Sequence, residues 1–376
     1  YNFLSEKPIL NFSLTTGKRF FDDKLGFTLS GSYNNHHLGS DNIEASWLKG
    51  PNGTAYLGNF EVRQYDIIRL RQSISGGLDY KIDDNNAVFV NGILNHRNDW
   101  ENRYRLRLRF DKGDAVTVDG TKYKGLPDAN GVVKNAEIIR QNKQGINNDD
   151  NNSARLEDQN TLNFAFGGEH LFANLLKMNW QANWAKASEE KPNERYIGYR
   201  FKKGNVTPNT TNQNEPQFVI NEGTDYSKFS LNELTESTSY TEDVDMNGKI
   251  DFELPLMSGE NKNKIKFGVR YRGKEKKRDN EFYAYEPTGD DIESMDKIPL
   301  YDATKDNFLA GDYKAGSFAD KNYIGSLNLE DATKFEKLDL KEEYVGENFS
   351  AKENITAGYV QLEQNIGANL ILLAGL

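Results

Sequence analysis

Apolar and polar residues alternate with a period of two through most of the chain. From Lys24 to Asn34 the odd positions are Leu25, Phe27, Leu29, Gly31 and Tyr33, while Gly26, Thr28, Ser30 and Ser32 fill the even ones. From Ile68 to Ile82 the even positions carry Ile68, Leu70, Ile74, Leu78, Tyr80 and Ile82, against Arg69, Arg71, Ser73, Ser75, Asp79 and Lys81. Between Val88 and Phe110 the even face holds Val88, Val90, Leu94, Trp100, Tyr104, Leu106, Leu108 and Phe110, and the odd face holds Asn91, Asn95, Arg97, Asp99, Glu101, Arg103, Arg105, Arg107 and Arg109. The same pattern recurs at Leu162 to Phe172, Leu176 to Trp184, Tyr240 to Leu254 and Lys264 to Arg272. Period two belongs to strands with one greasy and one wet face, so the pattern predicts an all-β chain of about ten long strands.

The connections alternate as well. Short turns are expected at Asp22 to Lys24, Asp83 to Asn86, Ala173 to Leu175, Pro255 to Asn263 and Gly367 to Asn369. Long polar loops are expected at Asn35 to Arg63, Asp111 to Asp158, Glu190 to Glu236 and Glu286 to Ser350. Tight turns at one end and long loops at the other are the habit of outer-membrane barrels rather than of soluble sandwiches. The fold expected is therefore a transmembrane antiparallel β-barrel with short periplasmic turns and long extracellular loops. Outward aromatics fall into two sets: Phe20, Tyr80, Phe172 and Phe252 near the turns, and Tyr33, Trp184, Tyr240 and Tyr271 further up, as two interfacial girdles would require.

Composition narrows this further. The chain has 376 residues, a net charge of -10 and no cysteine, which excludes a disulfide scaffold, a thiol nucleophile and thiolate zinc sites. No run of about 18 apolar residues occurs, so no membrane-spanning helix is expected, although barrel strands escape that test. The chain opens in a polar loop and stops at Leu376 in an apolar run. It is expected to be a partial barrel domain, 1–376, with both ends missing.

Two charged groups are candidates for function. Arg103, Arg105, Arg107 and Arg109, with Arg69 and Arg71 on the preceding strand, form a basic wall able to attract anionic ligands; the alternative is that Asp99, Glu101 and loop carboxylates neutralise it. Asp243, Asp245, Asp251 and Glu253 are expected to face Lys264, Lys266, Arg270 and Arg272 across a hairpin, as cross-strand ion pairs on a polar lumenal face. Asp243 to Leu254 mimics an EF-hand loop, but its twelfth position is Leu254 rather than a bidentate glutamate. Asn147 to Asn152 reads as a disordered polar loop, with a calcium site as the alternative. His36, His37, His96 and His170 are too scattered for a metal site, and His36 and His37 read as solvated loop residues. No catalytic triad, phosphate loop or zinc-protease motif is present. No enzymatic activity, cofactor, metal or nucleic-acid partner is expected.

The closing stretch, Glu353-Asn-Ile-Thr-Ala-Gly-Tyr-Val-Gln-Leu-Glu-Gln-Asn-Ile-Gly-Ala-Asn-Leu-Ile-Leu-Leu-Ala-Gly-Leu376, resembles the strand, turn and strand midway through TonB-dependent receptor barrels. There a glutamate precedes a tyrosine-bearing strand and the next strand commonly ends in Gly-x-Arg; Gly375 fits, and the arginine position lies past Leu376. Leu10 to Tyr33 resembles the region just after the plug and first barrel strand. The resemblance implies a 22-strand barrel with an internal plug in the outer membrane of a Gram-negative cell. It also implies energy from the TonB, ExbB and ExbD complex, and an iron chelate, vitamin, peptide or oligosaccharide as the imported ligand; a surface lipoprotein is a further candidate partner that the sequence leaves open. The plug and the TonB-contacting segment are not among these residues, so no functional residue of those parts is carried over. A passive porin-like barrel and a secreted all-β glycan-binding or glycan-cleaving protein are the rival readings.

Overall fold

A computed structural model describes residues 2, 5–223, 225–256, 263–366 and 370–376. Its strands are β1 Ile9–Phe20, β2 Leu25–Lys49, β3 Ala55–Asp83, β4 Asn86–Arg109, β5 Ala115–Val118, β6 Thr121–Lys124, β7 Val133–Gln144, β8 Arg155–Phe172, β9 Leu176–Asn209, β10 Gln217–Ile220, β11 Ser230–Pro255, β12 Lys264–Pro287, β13 Leu300–Asp302, β14 Ser317–Ala319, β15 Phe335–Asp339, β16 Phe349–Ile366 and β17 Leu370–Gly375. Thirteen of them make one antiparallel sheet, with β1 and β17 at its edges. The chain is all-β, as the period predicts.

Three of the four expected loops are largely strand. β2 and β3 continue through Asn35 to Arg63 apart from a tight connection at 50–54, and β9 and β11 extend far into Glu190 to Glu236. Within Asp111 to Asp158, β7 pairs with the upper parts of β4 and β9, while β8 pairs with their lower parts. β7 and β8 therefore share one position in the sheet, interrupted by 145–154. Parts of these stretches, such as Ser40, Asp41 and Asn42, carry polar residues on both faces, so alternation is invisible there although the backbone ladder runs on, while Phe60 and Val62 against Glu61 and Arg63 keep it.

The expected turns at Asp22 to Lys24, Asp83 to Asn86 and Ala173 to Leu175 connect neighbouring strands. Leu256 N donates to Asn263 O at 2.9 Å across the base of the next, most of which lies outside the described residues, as does Gly367 to Asn369. Ala173 and Asn174, in the three-residue turn between the paired Phe172 and Leu176, both have positive φ, 49° and 53°, the left-handed region that favours glycine. Alanine is strained there by its Cβ. Ala173→Gly is expected to stabilise the protein by about 0.5–1 kcal/mol, read as a higher urea midpoint.

The sheet is staggered. One row of paired residues passes through Leu25, Tyr80, Val88, Gly168, Trp180, Ile250, Val269 and Gly358. The strands that run from this row toward the successive turns end at Asp83, Phe172, Pro255 and Ile366, each further from the row than the last. A progressive offset of this kind is that of strands tilted to a common axis.

One face carries the apolar rows. In the half nearest the turns these side chains are exposed: Leu78, Phe166, Val269 and Val360 each keep more than half of their surface. In the far half the same face, now Phe60, Val62, Tyr104, Leu106 and Leu108, is fully buried. The cover is the segment 288–334, most of the expected loop Glu286 to Ser350. It leaves and returns at one neck, where Pro287 pairs with Phe335 and Thr288 N donates to Lys334 O at 2.9 Å. This strap runs out across the sheet to β2, where Leu309 N donates to Asp41 at 3.4 Å, and back again. Its buried Met295, Phe308, Phe318 and Ile324 join the core.

Polar side chains of the sheet hold the strap by its backbone. Arg140 Nη1 donates to Ala315 O and Ser317 O at 2.9 and 3.0 Å, Asn142 to Ala319 O at 2.7 Å, and Gln144 to Lys321 O at 2.8 Å. Arg195 Nη1 donates to Ile324 O and Leu327 O at 2.6 and 3.1 Å. Arg140, Asn142 and Gln144 share one face of β7 at strand spacing, and the acceptors step along the strap in the same rhythm. The carbonyls that an irregular segment would bury unpaired are thereby satisfied.

Candidate functional site

On the opposite, polar face the far half of β4 presents Arg103, Arg105, Arg107 and Arg109. Strict pairing sets Glu61 opposite Arg107, Arg63 opposite Arg105, and Tyr65 opposite Arg103. Glu61, only 3% exposed, is the hub: it takes Arg63 at 2.5 Å, Arg107 at 3.0 Å and Arg105 at 3.7 Å. Burial pushes the Glu61 carboxyl up, and Arg105, Arg63 and Arg107 outweigh that and hold it below its ordinary value. Arg105 is lowered, first by its own burial, with Arg103, Arg107 and Arg63 adding repulsion against the attraction of Glu61.

At the rim Arg109 lies 3.4 Å from both Asp111 and Glu137, and Glu137 also meets Arg200 at 3.5 Å. Arg103 donates to Gln141 Oε1 at 2.8 Å, and its guanidinium stands 5.6 Å from the Tyr196 ring centre. Among the described residues no carboxylate lies within ion-pair distance of Arg103. Arg69 and Arg97 share Asp99, at 2.6 and 2.7 Å, one level closer to the turns. Arg71 is exposed, opposite Arg97.

The structure thus brings Arg103, Arg105, Arg107 and Arg109 together on one face and sets Arg69 and Arg71 apart. Asp99 neutralises Arg69 rather than the row, and Glu101 pairs with Arg155 at 3.4 Å. The row's own carboxylates are Glu61, Asp111 and Glu137. With Arg63, Arg200, Gln141 and Tyr196 they escaped sequence reasoning because they lie within or at the edge of segments read as loops. The available signal was spacing: Glu61 and Arg63, like Glu137, Gln141 and Lys143, keep the period of the strands beside them.

The second charged group forms a ladder nearer the turns. Asp245 meets Arg272 at 2.6 Å, Asp243 meets Lys274 at 3.0 Å, and Glu253 meets Lys266 at 3.2 Å and Lys264 at 3.6 Å. Asp251 pairs with Lys249 at 3.6 Å and accepts from Tyr359 Oη at 3.0 Å. Arg270 is exposed, in register with Lys249, and among the described residues it makes no ion pair. Each such pair facing water is worth about 0–1 kcal/mol.

No family model matches the chain, and neither does any curated protein or any solved structure.

The EF-hand mimic from Asp243 to Leu254 lies inside β11, paired on both sides, and its carboxylates are spread along one strand face instead of wrapping an ion. Asn147 to Asn152 is not a disordered loop. It folds around Asn151, fully buried, whose Nδ2 donates to Ala154 O and Asn193 O, while Trp100 Nε1 donates to Asp150 O at 2.6 Å. His36 and His37, read as loop residues, lie in β2. Among the described residues no group of three or more His, Cys, Asp or Glu side chains could hold a metal ion.

Proposed function

We propose that the chain is part of the wall of an outer-membrane β-barrel that imports a scarce nutrient with energy from the TonB, ExbB and ExbD complex. The observation that carries this reading is the division of one sheet face into two zones. Near the turns the apolar rows Leu162 to Phe172, Leu176 to Trp184 and Val244 to Leu254 are exposed or half-buried, with none of their large side chains fully covered, over about 9–11 residues per strand, the length a tilted strand needs to cross the hydrocarbon layer. Beyond them the same face is buried beneath the strap. Lipid contacts the first zone and water bathes the strap. The polar face, with its ion-pair ladder and arginine row, lines the interior.

The exposed girdle residues support this assignment: Phe20, Tyr80 and Phe172 near the turns, and Tyr33 and Tyr271 at the other edge, each keep more than a third of their surface. A secreted glycan-binding sheet would have to cover these rows with another layer, since exposed apolar area of this extent on a soluble protein marks a contact surface.

The chain's four tryptophans provide a position-resolved test. Trp180 and Trp184 lie in the open zone, opposite Ile250 and Met246, whereas Trp47 and Trp100 lie in the far half, opposite Leu57 and Leu156. In single-tryptophan variants reconstituted into vesicles of brominated phosphatidylcholine, Trp180 and Trp184 are expected to be quenched several-fold more than Trp47 and Trp100. Equal quenching at all four sites, or none, would sink the membrane reading.

A further inference from the structure

We propose that Arg103 and Arg105, with Arg63 across the strand pair, form a binding site for an oxyanion group, carboxylate or phosphate, of a small molecule. That the molecule is the imported nutrient rests on the function proposed above; the binding itself does not.

The register is the first reason. Arg63 is set directly opposite Arg105, and Arg103, Arg105 and Arg107 follow one another on the same strand face. Like charges placed directly opposite repel, and an arrangement built for stability would avoid them. Where the ladder of β11 and β12 sets like charges opposite, at Lys249 and Arg270, Arg270 is exposed to water, whereas the side chains of Arg63 and Arg105 keep only 21% and 18% of their surface.

The second reason is the shortage of anions. Glu61 already holds Arg63 and Arg107 at 2.5 and 3.0 Å, leaving Arg105 a contact of 3.7 Å, and Glu44, the other carboxylate beside them, is taken up by Arg63 at 2.6 Å. Among the described residues Arg103 has only the neutral Gln141 and the ring of Tyr196. Two neighbouring guanidiniums thus lack a close carboxylate of their own, and forked donors of this kind match two-oxygen anions.

Access is the third. The Arg105 side chain keeps 18% of its surface, and the strap lies on the opposite face of the sheet. Tyr65 and Tyr196 flank Arg103, so the anion's scaffold would rest between two rings.

The test is isothermal titration of the purified chain in detergent at low salt, with citrate in one arm and inorganic phosphate in the other. At least one of the two is expected to bind, and which one it is identifies the group. R103Q/R105Q is expected to weaken that binding at least tenfold while R270Q leaves it intact. Without ligand the double variant should melt no lower than the parent, because repulsion is relieved and Glu61 retains Arg63 and Arg107. The proposal is overturned if neither anion binds, or if the double variant binds as the parent does. A thermal midpoint several degrees lower without ligand would equally overturn it, since the two arginines would then be structural partners of Glu61. A chain that binds the anion but shows no lipid quenching at Trp180 and Trp184 would keep the site and lose the importer.

Discussion

Phe318→Ala should lower the unfolding free energy by about 3–5 kcal/mol, the range for removing a fully buried ring. Phe318 is 0% exposed and packs 5.5 Å from the Tyr104 ring centre, with the Arg140 guanidinium 5.4 Å from its own. A cavity there would undermine both layers, because Arg140 also carries the bonds to Ala315 and Ser317. Denaturant melts would measure the loss. Limited proteolysis would locate it: cleavage should appear first within 288–334, with the strands between the turns still resistant. A loss below about 1 kcal/mol with an unchanged cleavage pattern would mean that the strap does not pack on the sheet as described.

Glu61→Gln should cost about 3 kcal/mol. Removing one partner of a buried ion pair is strongly destabilising because the other charge remains, and here three guanidiniums lose one carboxylate. The figure stays at the lower end because those arginines keep between 18% and 31% of their side-chain surface in water. The effect also has a pH signature. The folded pKa of Glu61 lies below its unfolded value, so its stabilisation is fully present above the ordinary carboxylate range and is lost as pH falls through the folded value. Melts of the parent should therefore steepen downward in acid, and those of Glu61→Gln should change less over the same interval. Parallel profiles would remove Glu61 from the role of hub. The contrast with Arg105 is instructive: one carboxylate among three arginines is indispensable to the fold, whereas the least well paired arginine is not.

Much of the fold was legible where one face is apolar and the other polar. Ile74, Leu78 and Tyr80 against Ser73, Ser75 and Asp79 announced β3, and the even and odd sets from Val88 to Phe110 announced β4 over nearly its whole length. Legibility failed where both faces are polar. Ser40, Asp41 and Asn42 extend β2 without contrast, because a paired backbone ladder continues regardless of what the side chains meet. It failed again in the strap, whose Met295, Phe308, Phe318 and Ile324 sit in polar sequence without a strand's alternation and find their partners on strands far away in the chain.

The candidate site was legible to the same degree. Alternation put the four arginines of β4 on one face, and the hairpin order brought the acids of β11 beside the bases of β12. Which carboxylate serves which arginine depended on Glu61 and Glu137, and so on pairings across segments that looked like loops. The EF-hand mimic shows the converse case, a spacing of ligands with the right chemistry set in a strand, and its missing twelfth ligand had already marked it as a mimic.

A sheet held only by ladders between neighbours can shear and splay along its whole length. Here the strap is stitched across strands from β12 to β2 at one end alone, through carbonyl bonds and buried rings. Mechanically the sheet is a plate clamped along one edge. Its curvature at that edge is dictated by the strap's reach, and its compliance is concentrated at the end with the short turns, so a force applied there would be felt as leverage against a rigid rim.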